Sequence, residues 1–333
     1  MRPIAGAVSL PGGGRMNMQL RPDGSLRHLI TLENLPRALI ERLLDRAQSF
    51  VRPLGAPAPV SRVLAGCTVA NLFTEPSTRT RVSFELAAKR LGADVVNLEV
   101  QLSSRIKGES MLDTVFTLQS LHIDALVIRD AEPGVPGTVA SHVAPSVSVL
   151  SAGEAHIAHP TQGLLDALTV RQHKPRFESL RIAIVGDIRH SRVARSAVHI
   201  FRTLGTADLR LVAPPGLMPA PEEFPGCSRH TTLEEGLREA DVVMMLRIQS
   251  ERMAQADLPD AAHYYESYGL TSARLALARP DAIVMHPQPM NRGVEIASEV
   301  ADGPQSVIRD QVRNGVAVRM AVLDEVLAWR RAG

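Results

Sequence analysis

Short apolar runs alternate with amphipathic stretches along this chain, and the alternation runs its course, pauses and then restarts. The runs Thr68–Phe73, Val95–Leu98, Ala125–Ile128 and Val147–Leu150 have the length and composition of buried strands. Helical periodicity lies around them. Leu35, Leu39 and Leu43, with Ile40, Leu44 and Ala47, fall on one stripe between Leu35 and Phe50, and Ser83–Leu91 and Met111–Leu121 also read as helices. Strands that alternate with helices predict a parallel sheet covered by helices. A longer helix from about Thr161 to His173 follows. Then come strands at Arg181–Val185, Leu209–Val212, Val242–Met245 and Ala282–Met285, with helices including Arg195–Thr203 and Leu233–Ala240. The chain has 333 residues, too many for one ordinary core and suited to two units of roughly 150. The expected class is α/β: two doubly wound parallel-sheet domains linked by interdomain helices, one over 27–170 and one over 171–306. A long amphipathic helix at 307–331 is expected to pack back on the first domain. Residues 1–26, with a short apolar stretch and then Pro11 and three glycines, read as a flexible extension.

Composition removes several classes of function. Net charge is +2, which gives no field suited to nucleic acid or an acidic membrane. No apolar run reaches the roughly 18 residues of a membrane span. Cys67 and Cys227 are far apart and lack metal-ligand spacing, so a reducing, cytoplasmic setting with no structural metal is expected. Only Lys89, Lys107 and Lys174 are lysines among 37 basic residues, so a lysine inside a motif carries weight.

The segment Phe73-Thr-Glu-Pro-Ser77-Thr78-Arg79-Thr80-Arg81-Val-Ser83-Phe84-Glu85 sits where a strand ends and a helix begins. Ligands of open parallel sheets bind at the carboxyl ends of strands. A helix start offers unpaired N–H groups and the positive end of a dipole, which suits phosphate. Clustered hydroxyls and an arginine add donors. A helix N-cap also favours Ser or Thr, but it needs one hydroxyl and no Ser-Thr-Arg-Thr-Arg run.

That run, followed by Ser-Phe-Glu, resembles the carbamoyl-phosphate signature of aspartate and ornithine carbamoyltransferases. The resemblance recurs in order from about residue 28 to 330. It implies that Ser77, Thr78, Arg79 and Thr80 bind carbamoyl phosphate, that 27–170 is the carbamoyl-phosphate domain and that 171–306 is the acceptor domain. Ser103-Ser-Arg-Ile-Lys107-Gly-Glu-Ser110 is by its residues a mobile, Ser/Gly-flanked loop carrying a point charge. It resembles the family loop that reaches into a neighbouring subunit, which implies a homotrimer with shared sites in which Ser103 and Lys107 serve the adjacent chain. Arg129, after the strand Ala125–Ile128, points to the ligand edge. The resemblance gives it the phosphate and the carbonyl oxygen, although the family's following histidine is here Asp130.

His159-Pro-Thr-Gln162 opens the interdomain helix. A neutral histidine there can donate to a carbonyl gaining charge. The resemblance assigns His159 to that oxygen and Gln162 to the carbamoyl amide. The preceding Ser151-Ala-Gly-Glu-Ala155 differs from the family's Asn-Ala-Gly-Asp-Gly, so Ala155 stands where a residue tolerant of positive φ is usual. In the second half, Arg192 and the pair Arg247 and Gln249 each follow a strand. Two carboxylates each suit a bidentate guanidinium, so paired strand-end arginines fit a dicarboxylate. His286-Pro287-Gln288-Pro289 follows the last strand, and by resemblance the carbonyls of Pro287 and Gln288 accept from the carbamoyl NH2 or the incoming amine. The resemblance thus implies Thr80, Arg129, His159 and Lys107 as catalytic groups, Lys107, Arg192, Arg247 and Gln249 as aspartate ligands, and no cofactor. An ornithine-type enzyme, whose family carries His-Cys-Leu-Pro at the last loop, and a non-catalytic paralogue are the alternatives. Association with regulatory or dihydroorotase-like chains stays open.

Overall fold

A computed structural model describes residues 17–53, 55–98, 110–174, 176–249 and 260–331. The restart in the sequence corresponds to two parallel sheets. The first holds β1 (Thr68–Phe73), β2 (Asp94–Leu98), β3 (Ala125–Asp130) and β4 (Ser148–Glu154) in the order β2-β1-β3-β4. The second holds β5 (Arg181–Val185), β6 (Asp208–Val212), β7 (Ser228–His230), β8 (Val242–Met245) and β9 (Ile283–Met285) in the order β7-β6-β5-β8-β9. Parallel strands need crossovers, and the helices supply them.

Two strands run further than their apolar runs. β3 continues through Arg129 and Asp130, and β4 through Ser151–Glu154, all buried. Arg129 therefore lies in the strand and not after it, and the stretch Ser151–Glu154 before the interdomain helix is strand as well. Polarity hid these ends: a strand that reaches a ligand edge carries polar residues and loses its apolar signature. Ala155 then takes φ +41, the left-handed region the sequence flagged. β7, with an exposed Ser-Arg-His sequence, has no apolar run to find.

The helices are α1 (Arg37–Phe50), α2 (Thr78–Arg90), α3 (Met111–Ser120), α4 (Val135–His142), α5 (Pro160–His173), α6 (Arg192–Thr203), α7 (Leu233–Leu237), α8 (Ala261–Tyr268), α9 (Ser272–Leu275), α10 (Ser298–Ala301) and α11 (Ile308–Val326). From Pro160 to Val170 every residue of α5 is buried, because α1, β4, α6 and α11 all pack on it. A helix buried on every side cannot border solvent, so α5 forms the spine between the sheets. The final helix packs on α1, α2 and α5, as expected of a segment folding back on the first half. One apolar core runs from α1 through α5 into the second sheet, and a smaller one lies under α3 and α4 on the outer face of the first.

Candidate active site

In each sheet the strand order reverses once, between β1 and β3 and between β5 and β8. Crevices at the carboxyl ends of such reversals are where open α/β sheets bind ligands. Here the two reversals face one cavity of about 450 Å³. Ser77, Thr78, Arg79, Thr80, Arg129, His159, Gln162, Arg192, Arg247, Gln249, Pro287 and Gln288 line it. Ser103 and Lys107 lie outside the described residues.

The first wall is the start of α2. The helix begins at Thr78, earlier than the expected Ser83, so the whole hydroxyl run falls in its first turn. Ser and Thr are weak interior helix formers, which made this turn read as loop. Ser77 occupies the N-cap position, yet its side chain makes no capping bond. The capping explanation for this serine therefore fails, and the residue lines the cavity. Burial, then Arg247, lowers the pKa of Arg79. Two guanidiniums pushed together across a cavity favour an anion between them.

The walls meet at Glu75. Its Oε1 accepts from Arg129 Nη2 at 2.7 Å and from Arg192 Nη2 at 2.9 Å, and its Oε2 from Arg192 Nη1 at 3.0 Å. Arg129 belongs to the first sheet and Arg192 to the first turn of α6, and both are buried. Burial works to raise the Glu75 pKa, but Arg192 and Arg129 outweigh it and hold the carboxyl below its ordinary range. Gly153, at φ +120, makes the meeting possible: a Cβ there would stand 2.9 Å from Arg129 Nη1 and 3.2 Å from Arg192 Cζ. Arg129 also donates to the Ala152 carbonyl, and Arg192 to that of Ala155.

His159 is the N-cap residue of α5, and its backbone N–H donates to Ser196 Oγ on α6 at 2.8 Å. The backbone of this buried histidine is thus held between the halves. On the second sheet, Asp187 ties two strand ends together. Its Oδ2 accepts from the Gln249 N–H at 3.0 Å, and its Oδ1 faces His190 Nδ1 at 2.9 Å. This holds the Arg247–Gln249 segment against the loop after β5. Gly186 permits the approach, since a Cβ there would lie 2.5 Å from the Leu246 carbonyl oxygen. His286 Nδ1 accepts from the Gln288 N–H, and Nε2 donates to Glu295 at 3.1 Å, both residues being buried. That fixes the tautomer and the carbonyl-bearing loop, in which Gln288 takes φ +56.

Sequence reasoning passed over several residues. Glu75 stood inside the recognised motif, two residues before Ser77, and its acidity among basic neighbours was the available signal. Arg319 of α11 lines the cavity, with Nη1 on the Gly315 carbonyl and its guanidinium 5.0 Å from the Phe84 ring centre. Burial, then Arg129, brings its pKa down to about 9. Gln311 lines the cavity too. An amphipathic-helix pattern does not mark either one. Among the described residues, no three or more His, Cys, Asp or Glu cluster as a metal site. No described helix is long and apolar enough to cross a membrane.

The chemistry open to this cavity is anion binding at a helix start, carboxylate binding by guanidiniums from the other sheet, and donation to an oxygen that gains charge between them. Comparison with known proteins bears on that combination. Residues 27–172 match the aspartate/ornithine carbamoyltransferase carbamoyl-P binding domain, and residues 178–326 match the family's Asp/Orn binding domain. Aspartate transcarbamoylase from Trypanosoma cruzi in complex with carbamoyl aspartate and phosphate is 32% identical, at a TM-score of 0.79 over 90% of this chain and 96% of that one. The same enzyme in complex with N-(phosphonacetyl)-L-aspartic acid is 31% identical, at a TM-score of 0.81 over 90% and 96%. Ornithine carbamoyltransferase from Pyrococcus furiosus is 28% identical, at a TM-score of 0.79 over 91% and 97%. With both halves matched in order and the two walls meeting at one cavity, the chain belongs to the aspartate/ornithine carbamoyltransferase family.

Proposed function

We propose that this chain is an aspartate carbamoyltransferase, transferring the carbamoyl group of carbamoyl phosphate to the amine of L-aspartate on the way to pyrimidines. Likeness of fold does not choose between acceptors, since aspartate and ornithine enzymes both match. The observation that carries the choice is the second wall. Among the described residues lining the cavity, that wall supplies Arg192 and Arg247 and no carboxylate. Two guanidiniums suit a dicarboxylate, whereas the second ammonium of ornithine needs an acid.

In this reading carbamoyl phosphate binds at Ser77–Thr80, Arg129, His159 and Gln162. Arg192, Arg247 and Gln249 hold aspartate so that its amine faces the carbonyl carbon. Thr80, Arg129 and His159 stabilise the tetrahedral oxyanion, and phosphate leaves. Orientation and preorganised positive charge supply the rate. Ser103 and Lys107 complete the site from an adjacent copy in a cyclic homotrimer. Support for a covering copy comes from the edge strand β2, exposed along most of its length including Val96, and from Val82 and Leu86, exposed on the neighbouring α2. A steady-state assay with aspartate and ornithine side by side tests the reading: turnover of aspartate is expected. Turnover of ornithine alone would make it an ornithine-type enzyme, and binding of carbamoyl phosphate with neither turned over would make it a non-catalytic paralogue.

A further inference from the structure

One acid beneath the cavity connects its two walls. Asp166 of α5 is fully buried. Its Oδ1 accepts from Gln162 Nε2 at 2.9 Å and from Gln311 Nε2 at 2.8 Å. Its Oδ2 has no hydrogen-bond partner among the described residues. Gln311 Oε1 in turn accepts from the His286 N–H at 2.9 Å, and His286 Nδ1 accepts from the Gln288 N–H at 2.9 Å. Gln162, Gln311 and the loop His286–Pro289 all line the cavity.

A glutamine amide presents donors on one side and an acceptor on the other, and a half-turn exchanges them. An oxygen that accepts from two amides settles both. Gln162 gives its NH2 to Asp166 and keeps Oε1 for the cavity. Gln311 gives its NH2 to Asp166 and keeps Oε1 for His286, which anchors the loop bearing the Pro287 and Gln288 carbonyls. We propose that Asp166 is a positioning residue for the carbamoyl amide: through Gln162 and Gln311 it holds the two sets of acceptor oxygens that distinguish an NH2 group from a methyl group. This rests on the carbamoyl-phosphate reading above. The ligand NH2 has two hydrogens, and the site offers an acceptor for each from opposite walls. A methyl group in its place leaves buried acceptors unpaired, which is how polar sites reject near-isosteres. Burial pushes the Asp166 carboxyl up to about 7. The protonated form suits the arrangement, with the proton on Oδ2, Oδ1 still accepting and no charge set against an anionic ligand.

The test compares binding of carbamoyl phosphate, acetyl phosphate and inorganic phosphate by titration calorimetry. Wild type should prefer carbamoyl over acetyl phosphate. Asp166→Leu should cut that preference about tenfold or more while the phosphate Kd stays within about twofold. Asp166→Asn, which still offers an oxygen to both glutamines, should restore most of the preference. A wild type with no preference would overturn the carbamoyl-phosphate reading itself. A wild type with the preference, retained in Asp166→Leu, would overturn only the role of Asp166, as would an Asp166→Asn variant as unselective as Asp166→Leu. If Asp166→Leu does not fold, Gln311→Leu decides, because it frees the His286 loop while keeping the Asp166–Gln162 bond. A lower preference upholds the inference, and an unchanged one overturns it.

Discussion

The two walls of the cavity are built by different means. The first is local: Ser77, Thr78, Arg79 and Thr80 are consecutive, and the start of α2 sets their backbone whatever the second sheet does. The second is assembled. Arg192 comes from the first turn of α6 and Arg247 from just beyond the end of β8, Asp187 ties the loop after β5 to the Arg247–Gln249 segment, and Arg192 takes its acid partner, Glu75, from the other half. A helix start is an anion site as soon as the helix forms. A pair of guanidiniums becomes a dicarboxylate site only when tertiary structure sets their spacing. The first wall should therefore tolerate disturbance of the domain contact, and the second should not.

The comparison breaks most visibly if the first wall also needs another chain. Arg79→Ala and Lys107→Ala should each be nearly inactive. Dissociated, mixed equally and reassembled as random trimers, they should recover activity at about a quarter of all sites, because three-quarters of the trimers are mixed and each mixed trimer has one intact interface of three. Background activity after reassembly confirmed by native mass would remove Lys107 from the neighbour's site.

The separation of the walls predicts that Arg247→Ala raises the KM for aspartate strongly, since losing one partner of a buried charged pair costs roughly 2–5 kcal/mol. Carbamoyl-phosphate affinity should barely move, and equal weakening of both ligands would refute a dedicated acceptor wall. His159→Ala, at the junction, should lower kcat about 10²–10³-fold in a protein that remains folded. Near-normal turnover at saturating substrates would exclude its donation to the oxyanion. Glu75→Gln removes the carboxylate that joins the walls, and kcat/KM for aspartate should fall about 10- to 100-fold. The carbamoyl-phosphate Kd should change less, because Arg192 places two N–H groups on Glu75 and Arg129 only one.

The smallest effect concerns pH. The Asp166 pKa is raised by burial from 3.8 to about 7. Below 3.8 folded and unfolded chains both hold the proton, and stability is undiminished. As pH rises toward 7 the unfolded chain releases it first, so stability is lost across that window and stays lost above it. Asp166→Asn carries no such titration. Its Tm relative to wild type should climb by a few degrees between pH 4 and pH 8, and a constant difference would mean Asp166 titrates normally in the fold.

The sequence by itself determined the two-sheet α/β class and, wherever a motif is contiguous, which residues line the cavity. Thr68–Phe73 and Arg181–Val185 were strands of buried residues at their observed ends, and Ser77–Thr80 and His159–Gln162 were legible because a helix start and its polar groups lie within one turn. Where the code was polar it failed: Arg129, Asp130 and Ser151–Glu154 are strand, and the helix opens at Thr78 and not Ser83. Residues that touch only through the fold were out of reach. Nothing near Glu75 in sequence announces Arg192, 117 residues away, and nothing near Asp166 announces Gln311, 145 residues away. Hydrophobic period and turn chemistry act over a few residues, whereas a buried carboxylate takes whichever donor the packing brings, so those partnerships exist only once the two sheets have closed on α5.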